Sequence, residues 1–171
     1  MAPPYELMVK QRRLERGDVP FYAIYDVGDY TFAPHKVVWA EMAGTLQAAV
    51  ISDAAVPYDG DKPVVPDHKV YFASFEDSDE AHYVCALLNS GTMRTFIDSF
   101  TIKIQVGTLF RHLQLPPYIA SNSLHAQLGA GSREAHRRMS ADRSEDIGHE
   151  RSEIDAAARR IIADWASSAG R

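Results

Sequence analysis

The sequence predicts an α+β fold, in which a small twisted mixed sheet with flanking helices is followed by a C-terminal helical tail. Three observations predict it. The chain has 171 residues, of which 46% are hydrophobic and 24% charged, as in a single globular domain. Segments rich in β-branched and aromatic residues occupy most of the first half. After residue 76 the spacing of apolar residues changes from two to about 3.6, which is typical of helices.

The first half is predicted to contain one helix and four strands. A short helix over 5–16 is expected to end at Gly17, because glycine favours helix termination. The predicted strands follow at 21–25, 36–41, 46–51 and 69–75. Gly44 permits a hairpin between the second and third of these strands. Proline, aspartate and glycine at 57–63 predict a loop.

The second half is predicted to be mainly helical. The sequence Asp-Ser-Asp-Glu at 77–80 is a capping-box pattern, and it opens a helix that stops near residues 89–91. A second short helix is marked by Met93, Phe96 and Ile97. Isoleucine and valine then alternate with polar residues over 100–106, which predicts a half-exposed strand, and a helical turn follows at 107–113.

The tail beyond residue 121 differs in character from the rest of the chain. A helix over 122–139 is predicted to be interrupted by the Gly-Ala-Gly sequence at 129–131. One apolar stripe of a further helix consists of Ile154, Ala158, Ile161, Ile162 and Trp165. This extension, 129–171, has too little apolar surface to fold alone, so we expect it to pack on the main unit, 1–128, or on another chain.

Several classes of protein are disfavoured by what the sequence lacks. No apolar run approaches the roughly 20 residues of a membrane helix, and no secretory signal is recognisable, which predicts a cytoplasmic protein. The single cysteine, Cys85, cannot form an internal disulfide, and its apolar neighbours predict a buried side chain.

No catalytic constellation is recognisable either. The chain has no glycine-rich phosphate loop, no His-Glu-x-x-His helix and no nucleophile elbow, and its seven histidines are scattered. Pro-Pro-Tyr occurs at 3–5 and 116–118, but without the preceding Asn or Asp with which adenine methyltransferases bind the extruded base. We therefore expect no catalytic, cofactor-binding or metal-ligating residues in this chain.

Charge is unevenly distributed. The net charge of −5 disfavours nucleic acid as a partner, and residues 52–82 contain eight acids and two lysines. Bases exceed acids over 5–16 and over 94–115. Because steering depends on the local field, these two basic segments remain candidates for contact with nucleic acid.

Several segments, in their order and spacing, resemble a known family. PFYAIYDVGDYTFAPHKVVW at 20–39 resembles the start of the target-recognition region of large adenine-specific DNA methyltransferases, including the fused type IIG restriction–modification enzymes. AHYVCALLNS at 81–90 resembles the helix of that region that ends in Leu-Asn-Ser, and Leu115-Pro116 resembles its exit. The resemblance covers about 14–128. The type I specificity subunits, in which a long helix follows each recognition domain, are similar in plan.

The resemblance implies that catalysis and DNA recognition belong to separate domains. S-adenosylmethionine and the chemistry belong to a separate upstream domain, while residues 1–128 act as the DNA target-recognition domain. The chain is then an excised or stand-alone specificity domain, inactive by itself. Its expected partners are double-stranded DNA and a methyltransferase catalytic domain, in cis or in trans.

The implied role needs side chains that reach base edges and others that hold phosphates. The candidates for base edges are Lys103, Gln105, Arg111 and His112. The candidates for phosphates are Lys10, Arg12, Arg13 and Arg16. Lys36, which lies in the resembling segment, is a further DNA-binding candidate, with a side chain that merely snorkels from a strand as the alternative. A solvated strand edge or helix face explains the same residues without DNA.

Two further functions remain alternatives. The chain is a protein-interaction module if its C-terminal amphipathic helix docks to a partner through an exposed apolar stripe. A free-standing enzyme ranks last, because no catalytic constellation is present.

Overall fold

The computed structural model describes residues 28–40, 46–58, 60–67, 69–100 and 114–169, and the structural statements below concern these residues. The chain divides into two compact units, Met1–Phe32 and Ala33–Arg171. In the first unit, the described residues form a 3-10 helix at Asp29–Phe32. The second unit contains the strands β1 (His35–Ala40), β2 (Ala48–Ser52), β3 (Ala54–Val56), β4 (Gly60–Lys62) and β5 (Val70–Phe75). Its helices are α1 (Ser78–Asn89), α2 (Gly91–Phe100), α3 (Ser123–Ala141) and α4 (Gly148–Ala169).

The predicted α+β class is confirmed. The strands β2, β1 and β5 form an antiparallel sheet in that order, with His35 opposite Ser52 on one side and opposite Phe75 on the other. The strands predicted at 36–41, 46–51 and 69–75 are thus present. Every described strand pair is antiparallel, while the helix predicted at 5–16 and the strands predicted at 21–25 and 100–106 lie outside the described residues.

The loop predicted at 57–63 is wrong in part, because it contains β4, which pairs with β3 in a small separate hairpin. The chain reverses between them with Tyr58 at φ 70° and Gly60 at φ 72°, in the left-handed region typical of tight turns. All residues of both strands are exposed. Without a buried face they show no alternation of apolar residues, so the sequence gives no periodic signal for them.

Helix α1 lies between two apolar clusters and contributes to both. Toward the sheet, Ala81, Cys85 and Leu88 pack with Val37 and Trp39. The second cluster lies toward the C-terminal helices and contains Tyr83, Ala86, Leu87, Leu128, Ile154, Ala157, Ala158 and Ile161. A helix that is apolar on opposite sides is buried between layers. The fold is accordingly a sheet, a central helix and a layer formed by α3 and α4.

The predicted limits of α1 are confirmed by its caps. Asp77 is the N-cap residue, and its carboxylate accepts a hydrogen bond of 2.7 Å from the amide of Asp79. At the other end, the backbone amide of Ser90 donates to the carbonyl of Leu87, and the second predicted helix, α2, begins at the next residue. The turn between the two helices is therefore only one residue long.

The predicted interruption at 129–131 is wrong, since α3 runs unbroken from Ser123 to Ala141. Both glycines lie where neighbouring helices approach closely. A Cβ on Gly129 would stand 3.3 Å from the carbonyl oxygen of Asp79 in α1, and one on Gly131 would stand 3.2 Å from Ile154 in α4. The predicted domain boundary at 128/129 falls inside this helix, and the functional division on either side of it stays a prediction.

The apolar stripe of α4 is used within the chain. Ile154, Ala158 and Ile161 are buried in the second cluster, so the expectation that the tail packs on the main unit is confirmed. Arg138 near the end of α3 fixes the connection, because it binds Glu145 at 2.7 Å, Glu150 in α4 and the carbonyl of Asp146. None of the helices in the described ranges is long and apolar enough to cross a membrane.

Candidate nucleic-acid interface

Most of the predicted DNA-binding residues lie outside the described residues. This holds for Lys10, Arg12, Arg13, Arg16, Lys103, Gln105, Arg111 and His112. Their roles stay predictions. The structure does fix the element that leads to the second group, because α2 ends at Phe100, three residues before Lys103.

Lys36 is the one predicted DNA-binding residue that the structure describes. Its side chain is 1% exposed, and its ammonium group donates a 2.6 Å hydrogen bond to the carbonyl of Ala33. Burial lowers the pKa of Lys36, since desolvation disfavours the charged form. In this arrangement Lys36 ties the start of β1 to the preceding turn. A contact with DNA would require the ammonium group to leave Ala33, and that role stays a prediction.

Three further arginines, Arg133, Arg137 and Arg138, lie on α3. Each is paired with a carboxylate in the fold. Arg133 binds Asp79 across the crossing of α3 and α1, and Arg137 donates to Glu134 at 2.8 Å on the same helix. With Arg138 bound to Glu145 and Glu150, these side chains are engaged in structural contacts.

Five arginines in the described ranges make no ion pair there: Arg94, Arg143, Arg151, Arg159 and Arg160. Two of them, Arg94 in α2 and Arg151 in α4, line the same cleft. This cleft has a volume of about 480 Å³ and lies between β2 and the four helices. Arg94 is half-buried, whereas Arg151 is exposed. We refer to this feature as the arginine cleft.

The edge of β2 that faces away from β1 forms one wall of the arginine cleft. Asn89 at the end of α1 donates to the carbonyl of Ala48 at 2.8 Å and accepts from its amide at 3.0 Å. His136 in α3 accepts from the amide of Val50 through Nε2 at 2.9 Å. Two side chains thus satisfy edge groups that a further strand would otherwise bind, which closes this edge to pairing.

Asp155 also lines the arginine cleft. Its Oδ1 accepts a 2.7 Å hydrogen bond from the amide of Gly91, the first residue of α2. A carboxylate is favourable at this position because the N-terminus of a helix carries partial positive charge. Asp155 also lies one helical turn after Arg151, yet no ion pair joins the two side chains.

The Leu-Asn-Ser sequence that contributes to the resemblance has a structural role in this fold. Leu88 is buried in the first cluster, and Asn89 holds β2. Ser90 is fully buried, and its hydroxyl donates to the carbonyl of Leu87 at 2.7 Å and accepts from the amide of Met93. One three-residue sequence therefore joins the core, the sheet edge and the junction of α1 with α2.

Two histidines in contact with each other, the buried His82 and the half-buried His136, lie beside the edge of β2. Because Val50 donates to Nε2 of His136, the proton of that ring resides on Nδ1, which donates to the carbonyl of Ser132 at 2.8 Å. His82 contacts the Ser132 hydroxyl at 3.2 Å, and burial lowers the pKa of His82 to about 4. The His82 ring is therefore held neutral, and the His136 ring joins α3 to the edge of β2.

Nucleophilic and metal chemistry find no support in the described ranges. Burial raises the pKa of Cys85 to about 12, which confirms the buried thiol that the sequence predicts. No group of three or more His, Cys, Asp or Glu side chains that could hold a metal ion occurs in the part of the chain that the structure describes.

Sequence reasoning missed the arginine cleft. Arg94 belongs to the basic segment 94–115, but nothing local distinguishes it there. Arg151 lies in a tail in which acids and bases are equal in number. The two residues are separated by 56 intervening positions and meet only through the packing of α4 beside α2, so no spacing pattern indicates them.

One curated protein shows similarity to part of the chain. Type II methyltransferase M.NspV of Nostoc sp. is 36% identical over 80 residues. The match covers 47% of this chain but only 16% of the relative, so the chain corresponds to a small part of that protein. No family model and no solved structure matches the sequence. The similarity supports a methyltransferase-related protein.

Proposed function

We propose that the chain recognises a DNA sequence as the non-catalytic specificity region of an adenine-N6 DNA methyltransferase or restriction–modification enzyme. S-adenosylmethionine is then bound by a separate catalytic domain, which acts in cis or in trans. The observation that carries the proposal is the 36% identity over 80 residues to a type II methyltransferase. The order of the segments that resemble a target-recognition region supports it.

The fold supports this role because it anchors helix α2, which directly precedes the base-edge candidates in the sequence. Asp155 and Ser90 anchor the first turn of α2 through its backbone amides, and Met93 and Ile97 bury one face of the helix. The segment with the base-edge candidates follows directly after this helix. Recognition needs donors and acceptors held at fixed positions, because a small displacement loses a bidentate contact to a base.

The candidate DNA-binding residues differ in the part of the DNA that each is expected to contact. Arg111 and Lys103 suit guanine edges and Gln105 suits adenine, according to the donors and acceptors that each base presents in the major groove. Arg12 and Arg16 suit phosphates, which fix register but carry no sequence information.

The alternative function, docking through the apolar stripe of the C-terminal helix, loses most of the apolar face that it requires, since only Ile162 and Trp165 of the stripe stay partly exposed. Ile154, Ala158 and Ile161 are buried against the chain's own α1 and α3. This arrangement favours DNA recognition over that form of protein interaction.

A selection from a random-sequence duplex library tests the proposal. The full chain is mixed with the library, and bound duplexes are recovered and sequenced over several rounds. We expect enrichment of one short sequence. Recovery of duplexes without any enriched sequence, across a range of salt concentrations, would contradict the proposal.

Variants of the full chain then separate the two kinds of contact. On the enriched duplex, Arg111→Ala should cost about 1–3 kcal/mol and relax specificity at one position. Arg12→Ala should weaken enriched and scrambled duplexes alike. Equal losses on both duplexes for Arg111→Ala would refute its base contact.

A further inference from the structure

We propose that the arginine cleft is a phosphate-binding site, with Arg94 and Arg151 as its cationic ligands. The identification of the phosphate as part of a DNA backbone rests on the proposed function. A phosphate of a free nucleotide has the same chemistry, and the experiments below separate the two sources.

The first argument is the contrast with the other arginines of the fold. Arg133, Arg137 and Arg138 each bind a carboxylate. Arg94 is half-buried and has no such partner in the described ranges, although acids outnumber bases in these ranges. A half-buried guanidinium has lost part of its hydration, so an anionic partner is worth more to it than to an exposed arginine.

The second argument concerns Asp155, the acid of α4 that lines the cleft together with this pair. Arginine and aspartate four residues apart on a helix commonly form an ion pair. Asp155 is instead turned to the amide of Gly91, and it leaves Arg151 without a carboxylate. Among the Arg, Lys, Asp and Glu side chains that line the cleft, two arginines and one aspartate leave one net positive charge.

The third argument is the shape and polarity of the cleft. Its volume of about 480 Å³ lies within the usual range of ligand sites. Its apolar lining includes Ala86, Ala135, Met139, Ile147 and Ile154. Apolar walls exclude water and lower the local dielectric constant, which strengthens the attraction between guanidinium and phosphate. Arginine suits this partner because its planar donors match phosphate oxygens.

The first experiment measures binding of the full chain to a fluorescently labelled duplex of random sequence, because phosphate contacts are independent of sequence. Arg94→Ala and Arg151→Ala are compared with Arg159→Ala. Arg159 is a matched control, since it is an exposed arginine on α4 that does not line the cleft. Each cleft variant should reduce the slope of log Kobs against log salt by about 0.9 and weaken binding roughly fivefold to tenfold at 0.1 M salt.

The variant Asp155→Asn supplies a test that mere structural damage would not mimic. The amide oxygen of Asn can still accept from Gly91, while the negative charge is removed. We expect tighter duplex binding and a steeper salt dependence than in the wild type. Weaker binding in a folded Asp155→Asn variant would contradict the assigned charge balance.

The second experiment titrates the isotopically labelled chain with inorganic phosphate and follows the backbone amide signals of Gly91 and Arg94. Saturable shifts that disappear in Arg94→Ala support the site. If these shifts occur while duplex binding is unaffected by both cleft variants, the phosphate belongs to a free compound and not to DNA.

The outcomes keep this inference separate from the proposed function. Phosphate binding that depends on Arg94, in a chain that binds no duplex at any salt concentration, retains the site and removes the proposed function. Duplex binding with unchanged salt slopes in both cleft variants, together with no saturable phosphate shift, overturns the site and leaves the proposed function standing. Thermal unfolding of each variant verifies that it is folded.

Discussion

Replacement of Asn89 by alanine tests how the sheet edge is closed. In the fold, the Asn89 amide group donates to the carbonyl of Ala48 at 2.8 Å and accepts from its amide at 3.0 Å. Alanine removes both bonds at once. The neighbouring edge group, the amide of Val50, is held independently by His136 and should keep its partner.

The expected cost follows from these contacts. A typical hydrogen bond contributes about 0.5–1.5 kcal/mol net, so the two together are worth about 1–3 kcal/mol. Asn89 and Ala48 are half-buried, so water can replace part of the lost hydrogen bonding. The larger cost of an unsatisfied, fully buried polar group therefore does not apply. For a chain of this size, 2 kcal/mol corresponds to a decrease in Tm of roughly 4–8 °C.

Hydrogen exchange combined with thermal unfolding is the appropriate assay. In Asn89→Ala, the amide of Ala48 should exchange roughly tenfold faster relative to that of Val50, since about 1.4 kcal/mol corresponds to a factor of ten. Gln47→Ala is the control, because Gln47 is exposed and adjacent in sequence. Unchanged protection of Ala48 in Asn89→Ala would refute the reasoning that a side chain substitutes for a neighbouring strand.

Three further predictions concern the helical layer. Gly129→Val should destabilise the fold by about 2–3 kcal/mol in urea unfolding, because the new side chain meets the Asp79 carbonyl. Ala130→Val, on the exposed face of α3, should cost less than 1 kcal/mol. Equal effects of the two substitutions would contradict the close approach of α1 to Gly129. Arg138→Ala should lower Tm more than Arg137→Ala, since only Arg138 joins α3 to α4, and the reverse order in calorimetry would contradict that role. The pKa of His82 lies at about 4, below its unfolded value near 6.5, so the unfolded state binds the proton first and stability falls as the pH falls from about 6.5 to 4. In His82→Gln this fall should be smaller, and an unchanged pH dependence of the unfolding free energy would exclude His82 as its source.

The parts of the fold that the sequence predicted correctly are those with a periodic apolar pattern and a local boundary. The strands at 36–41, 46–51 and 69–75 pack one face on α1, so their residue types alternate or cluster accordingly. The start of α1 is encoded by Asp77, which caps it through its own side chain. Such signals are contained within a few neighbouring residues.

The errors arose where a distant contact decides the outcome. Gly129 has low helix propensity, and only the approach of α1 reveals why glycine is required inside α3. The hairpin of β3 and β4 buries no face, so it leaves no apolar periodicity.

The candidate site shows the same limit. Asn89 was recognisable as part of a family-like sequence, but its partner, Ala48, is 41 residues away. Arg94 and Arg151 come together only after four helices have packed, and neither position carries a local motif. Composition and spacing therefore predicted the scaffold more fully than the surface that it presents.

The central claim, that this chain reads a DNA sequence, is tested most directly by one ratio. The dissociation constants of the full chain are measured for its enriched duplex and for a scrambled duplex of equal length and base composition, at fixed salt. We expect the scrambled duplex to bind at least a hundredfold more weakly, in keeping with specific recognition, which usually exceeds non-specific binding by about 10³-fold or more. Equal dissociation constants for the two duplexes would contradict the account.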